Sequence, residues 1–130
     1  MSQITHIALW TENLERLTAF YSKYFNALAG KKYSNPSKGF ESCFLSFEGG
    51  ARLEVMKSTM LSPVRVAPGV QRMGLTHLAF SVGSEQAVNT LTRRLKEDGY
   101  EIIDNPRFTG DDYYESVIGD PDGNRIEITI

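Results

Sequence analysis

Ile4-Thr5-His6-Ile7-Ala8-Leu9 and Leu75-Thr76-His77-Leu78-Ala79-Phe80 are two copies of one strand-like pattern, and they hold the only two histidines of the chain. A second echo follows each copy, Gly50-Ala51-Arg52-Leu53-Glu54-Val55 and Gly123-Asn124-Arg125-Ile126-Glu127-Ile128. The histidines lie 71 residues apart and the two glutamates 73 apart, so the halves are in register to within two residues. A chain of 130 residues is one domain, too short for two independent cores. It must therefore fold as a duplicate of a small module, with one His and one Glu at matched places in each copy.

Strand alternation and helical periodicity assign the parts. In module 1 (1–57), Ile4–Trp10 reads as a strand with period-two alternation. Asn13 then caps a helix whose Leu14, Leu17, Phe20, Tyr21, Tyr24, Phe25 and Leu28 make one apolar stripe ending at Gly30. Lys31–Ser34, Glu41–Phe47 and Arg52–Lys57 are short strands, the last two joined by a Glu48-Gly49-Gly50 turn. Residues 58–74, with Pro63, Pro68 and Gly69, form a linker. Module 2 (75–130) repeats the order. Strand Leu75–Val82 precedes a helix capped by Ser84, with Ala87, Val88, Leu91 and Leu95 on one side and Gly99 at its end. Tyr100–Asp104, closed by Asn105-Pro106, and Tyr113–Ile118 are the next strands. The Asp120-Pro121-Asp122-Gly123 turn leads into Arg125–Ile130. Phe40-Glu41-Ser42 and Tyr114-Glu115-Ser116 correspond one residue out of step, which implies hairpin turns of unequal length. The fold class is α+β, two tandem βαβββ modules expected to form a curved mixed sheet around a shared cavity.

Alternation also sorts the faces. Thr76, Leu78, Phe80 and Val82 belong under the helix, and His77, Ala79 and Ser81 face away from it. Ile126 and Ile128 oppose Arg125, Glu127 and Thr129 in the same way, as Leu53 and Val55 oppose Arg52, Glu54 and Met56. His6, Glu54, His77 and Glu127 thus fall on the faces turned from the helices, where a common cavity would bring them together. Singly, a strand histidine is usually a satisfied polar group and a strand glutamate a solvated one. The matched recurrence of both is what points to a ligand set. Two imidazoles and two carboxylates suit one divalent ion, Ni or Zn first, with Co, Mn or Fe also compatible. Four protein ligands leave positions open on an octahedral ion, the mark of a catalytic site.

The bulk properties narrow the partners. Hydrophobic residues make up 41% and charged ones 23%, a globular balance, and the net charge is −2 without a basic run. Nucleic acid and polybasic membrane attachment are excluded as partners. A single cysteine, Cys43, forms no internal disulfide, and no secretory signal or membrane-spanning apolar run is read. The expected location is cytoplasmic.

The paired modules, with Thr5-His6-Ile7-Ala8-Leu9, Thr76-His77-Leu78-Ala79-Phe80 and Asp120-Pro121-Asp122-Gly123-Asn124-Arg125-Ile126-Glu127, resemble the vicinal oxygen chelate superfamily over nearly the whole chain, and within it the glyoxalase I (lactoylglutathione lyase) branch. The resemblance implies that His6, Glu54, His77 and Glu127 meet on one metal. It implies that the metal chelates adjacent oxygens of a small substrate such as a hemithioacetal and stabilises an enediolate. Glu127 would then carry the proton between neighbouring carbons, with Glu54 as ligand or second carboxylate. A homodimer is implied as well. The alternative within the same superfamily is a non-catalytic or resistance-type protein that binds a small molecule in that cavity. The chain departs from glutathione-dependent members after the first histidine, where Ala8-Leu9-Trp10-Thr11 offers no cation; Arg52, Arg65, Arg72 and Arg107 are the candidates to replace it. Trp10 and Tyr113 are read as packing residues before pocket-lining ones.

Overall fold

The computed structural model describes residues 1–62, 64 and 70–130. The chain divides into two compact units, Met1–Arg65 and Val66–Ile130. Most of the expected linker's middle, residues 63 and 65–69, lies outside the described residues.

In unit 1, β1 (His6–Trp10) is followed by α1 (Leu14–Phe25), β2 (Leu28–Ala29), β3 (Tyr33–Asn35), β4 (Phe40–Ser46) and β5 (Arg52–Ser58), with a 3-10 turn at Pro36–Lys38. β1 runs parallel to β5, β4 is antiparallel to β5, and both β2 and β3 lie antiparallel along β4. The second strand of the module is thus one broken strand in two pieces. α1 starts where expected, because the Asn13 side chain accepts from the Arg16 N–H at 3.0 Å. It stops five residues before Gly30. Asn26 adopts the left-handed conformation (φ 56°) as the cap, and asparagine tolerates that region without help from glycine. Leu28, expected on the apolar stripe, is an exposed strand residue instead. The rest of the stripe, Leu14 to Phe25, is buried with Leu45, Leu53 and Val55 of the sheet.

In unit 2, β6 (Leu78–Ser81), α2 (Glu85–Glu97), β7 (Ile102–Phe108), β8 (Tyr114–Gly119) and β9 (Arg125–Thr129) form a four-stranded sheet in the order β6-β9-β8-β7, with β6 parallel to β9. Ser84 caps α2 by accepting from the Ala87 N–H at 3.1 Å. Val88 and Leu95 pack with the wholly buried Ile118, Ile126 and Ile128. A buried hydroxyl bridge, Thr92 Oγ1 to Ser116 Oγ at 2.7 Å, fastens α2 to β8. β7 does not end at Asn105-Pro106. It is the edge strand, where proline's missing N–H costs no ladder bond, and register shifts on either side of Asp104 absorb the ring.

The two hairpins have the same span. Leu45 pairs Leu53 and Ile118 pairs Ile126, so a constant shift of 73 relates β4–β5 to β8–β9. The apparent match of Phe40-Glu41-Ser42 with Tyr114-Glu115-Ser116 is therefore not a structural one: Glu115 occupies the place of Ser42, and Ser116 that of Cys43. A one-residue slip exchanges faces, and that is what the sequence echo concealed.

Candidate functional site

Each unit closes one His–Glu pair on the sheet face opposite its helix. In unit 1 the ladder sets Ala8 opposite Glu54, with His6 two residues earlier on the same face. In unit 2 Ala79 stands opposite Glu127, and His77 again precedes it by two. The small alanine in both places leaves room for the longer side chains to meet across it. His6 Nε2 lies 3.4 Å from Glu54 Oε2, and His77 Nε2 lies 3.1 Å from Glu127 Oε2. The glutamates are the more enclosed partners, with side chains 17% and 21% exposed against 40% and 36% for the imidazoles.

Two ligand atoms each about 2.1 Å from one ion, at octahedral to tetrahedral angles, stand about 3.0 to 3.4 Å apart. Both pairs have that spacing, so each fits half of a divalent-metal donor set. At His6 the far ring nitrogen, Nδ1, is 3.1 Å from the Thr5 hydroxyl, the kind of outer partner that fixes an imidazole's orientation and turns Nε2 toward a ligand. Among the described residues no group of three or more His, Cys, Asp or Glu side chains is disposed to hold a metal ion. The ligand-type residues come as two couples, one to a unit.

The surroundings of the couples differ. Beside His6 lies the Phe44 ring, edge-on with centroids 5.4 Å apart, and the Arg52 guanidinium rests over that same ring at 4.3 Å. Of the candidate arginines among the described residues, Arg52 is the one on the His6–Glu54 face, as the ladder partner of His6. Arg107 instead donates to the Glu115 carbonyl at 3.3 Å and pairs with Asp104 at 3.6 Å. Arg72 lies in irregular chain, and Arg65 falls outside the described residues. Trp10 is half-exposed with its ring edge-on to Phe40 at 6.3 Å between centroids, and Tyr113 sits at the β7–β8 turn.

Beside Glu127 lies a residue that sequence reasoning missed. Glu115, only 8% exposed, projects from β8 on the site face. Burial raises its pKa above the ordinary 4.5, and the neighbouring Glu127 charge and a side-chain hydrogen bond to Glu127 raise it further, against a smaller opposing pull from Arg107. The signal was there in principle. Pairing the strands outward from the Asp120–Asn124 turn puts Val117 opposite Glu127, and Glu115 one step along the same face.

The turn itself is a clamp. Asp120, 5% exposed, accepts from the N–H groups of Asp122 and Asn124 through Oδ1 and from the Asn124 side chain through Oδ2, each at 2.9 Å. Gly123 takes φ 83° to close it. This sets where β9 begins and therefore which face Glu127 occupies.

The model of the Glyoxalase/Bleomycin resistance protein/Dioxygenase superfamily matches residues 3–128. The chain is 29% identical over 129 residues to an uncharacterized Bacillus subtilis (strain 168) protein, YqjT, covering 95% of this chain and 94% of that one. A glyoxalase family protein from Enterococcus faecalis is similar in structure, with 26% identity, a TM-score of 0.78 and coverage of 98% and 97%. Glyoxalase I from Zea mays superposes with a TM-score of 0.76 at 20% identity, covering 98% of this chain but 44% of the maize chain. This chain spans less than half of that protein's length, and the likeness is one of fold.

Proposed function

The chain belongs to the glyoxalase/bleomycin resistance protein/dioxygenase superfamily, and on that premise we propose that it is a metal-dependent lyase or isomerase that shifts a proton between neighbouring carbons of a small substrate with vicinal oxygens. The observation that carries the reading is the preassembly of a His–Glu couple at metal-ligand spacing in both halves of a duplicate. In this proposal His6, Glu54, His77 and Glu127 serve one divalent ion, Ni or Zn before Co, Mn or Fe. The ion when bound supplies Lewis acidity, lowering the barrier to loss of the proton beside the chelated oxygens.

The chain's own residues do the rest. The imidazoles donate Nε2, with Thr5 steadying His6 from behind. Glu54 contributes a charge-neutralising carboxylate. Glu127 accepts the proton from one carbon and returns it to the next, a task suited to a carboxylate held on a rigid strand. Glu115 sets a second carboxyl beside it on the same face.

Metal content measured by ICP-MS on protein purified without chelator tests the proposal. About one equivalent per site, lost in His77→Ala and in His6→Ala, is expected. Metal-free wild type, even after reloading, would sink the reading. Mixing the two variants tells where the couples meet: recovery of bound metal in the mixture places a site across two copies of the chain.

A second reading, sequestration of a small molecule without turnover, is favoured by the half-exposed rings on the His6 face. Ligand binding that survives EDTA, with no product formed, would decide for it.

A further inference from the structure

The row that holds each histidine also holds an arginine. His6 and Arg52 are ladder partners in unit 1. In unit 2 Leu78 pairs Ile126, and one step back along that register His77 stands beside Arg125. The two arginines are satisfied differently. Arg52 lies over the Phe44 ring at 4.3 Å, whereas unit 2 has Val117 at the place of Phe44 and offers Arg125 no ring.

Arg125 is half-buried, and its Nε is enclosed with no hydrogen-bond partner. Among the described residues no carboxylate stands within ion-pair distance of its guanidinium. Carboxylates are at hand, so their distance is informative. Glu127, two residues on, pairs with His77 instead. The cation that acts on Glu115 is Arg107. Glu101 reaches over Gly119, the ladder partner of Arg125: a methyl built on that glycine would lie 3.4 Å from Glu101 Oε2. A permanently charged side chain with a buried, unused donor is costly unless something outside the chain accepts from it.

We propose that Arg125 holds the anionic end of the substrate, and that the substrate is an α-hydroxy aldehyde or ketone carrying a carboxylate or a phosphate. The reacting carbons rest on the proposed proton shift, and the anion rests on Arg125 alone. Such a compound has the proton that the shift requires. Glu127 takes it from the hydroxyl-bearing carbon, and the C–H electron pair enters the enediolate. The proton then returns to the former carbonyl carbon, so hydroxyl and carbonyl exchange places and no oxidant or reductant is consumed. Alternate residues of one strand stand about 6.6 Å apart on a face, which puts an anion one or two bonds beyond the reacting carbons within reach of Arg125.

The test titrates metal-loaded protein with hydroxypyruvate, dihydroxyacetone phosphate and neutral dihydroxyacetone, which shares the α-hydroxy ketone and lacks the anion. At least one anion is expected to bind about ten- to hundredfold tighter than dihydroxyacetone, the gain of one charge-assisted contact, and the tighter of the two tells carboxylate from phosphate. Arg125→Gln should abolish that advantage while metal content and dihydroxyacetone affinity stay put. Arg125→Lys should restore only part of it, since lysine keeps the charge and loses the fork. Equal affinity for all three compounds overturns the inference. So does an advantage that survives Arg125→Gln, whether the ion or Arg52 supplies it. A second variant is independent of Arg125: Glu101→Gln, at an exposed position, should tighten the favoured anion about two- to fivefold and leave dihydroxyacetone unchanged. No gain there overturns the placement. Exchange of the carbinol protons for deuterium in D₂O reads the proton shift separately. Exchange without any preference for anions sinks this inference and leaves the proposed function standing; an Arg125-dependent preference without exchange does the reverse.

Discussion

The two units share a His–Glu couple and the arginine two residues before its glutamate, Arg52 or Arg125, and differ in most of what lies beside them. Counting along matched ladders, Phe44 of unit 1 corresponds to Val117 of unit 2, Ser42 to Glu115, Met56 to Thr129 and Trp10 to Ser81. One face is aromatic with an arginine stacked on it, and the other is built of carboxylates with Arg107 and Arg125 nearby. What stayed fixed through the duplication is an imidazole, a carboxylate, an alanine between them and an arginine two residues before the carboxylate. What diverged is the row beside the couple, which carries rings in unit 1 and a second carboxylate, Glu115, in unit 2. Under the proposed function that difference assigns apolar recognition to unit 1 and the proton step to unit 2.

The sharpest way to break that division is to neutralise the two glutamates one at a time. Glu127→Gln should lower kcat by about 10²- to 10⁴-fold, the usual contribution of a positioned general base, with at least part of the metal retained. Glu54→Gln should act mainly on metal affinity, so that activity returns when excess metal is supplied. Steady-state kinetics across a metal titration distinguishes them. Equal loss of kcat in both variants at saturating metal would mean that the units share the proton chemistry and the division is false.

A smaller effect is expected from the turns that set the two glutamates. Asp120→Ala removes the charged acceptor of two part-buried N–H groups and should cost about 1–3 kcal/mol in urea unfolding. Glu48→Ala, in the exposed turn of unit 1, should change stability by less than about 0.5 kcal/mol. The Asp120 variant should also lose metal occupancy, because the start of β9 governs where Glu127 points. Matching midpoints for the two variants would show that the clamp is not what holds β9.

The duplication makes most of this legible in the sequence. The couples, the caps at Asn13 and Ser84 and the helix-facing sides of β5, β6 and β9 all follow from periodicity and matched residues, because each depends on local spacing. The end of α1 did not, since an asparagine in the left-handed conformation leaves no glycine to read. Nor did the passage of β7 through Pro106, which depends on the strand's being at an edge. The costlier miss was Glu115. Its resemblance to Glu41 suggested one residue type in one role, yet Glu41 faces Lys32 at 3.2 Å on the other side of its sheet, and Glu115 faces Glu127. Sequence likeness aligned the letters. Ladder register decides the face, and register is a property of pairing between strands.

That same residue gives the smallest test of the contrast. Glu115 stands where unit 1 has Ser42, and its pKa is raised by burial first and by Glu127 second. A carboxyl whose folded pKa lies above its unfolded value holds its proton more tightly in the folded chain. The stability this contributes is complete below the ordinary 4.5 and is lost as pH rises through the folded pKa. In chelator-treated protein, Glu115→Gln should therefore melt with the wild type near pH 4 and above it near pH 8, while Ser42→Ala shows no such trend. A difference in Tm between Glu115→Gln and wild type that stays flat from about pH 4 to pH 8 would mean the charge is already well solvated. Unit 2 would then be no more strained by its carboxylates than unit 1 is by its rings. A rising difference places the electrostatic cost on the unit assigned the proton, which is where an acid–base site stores it.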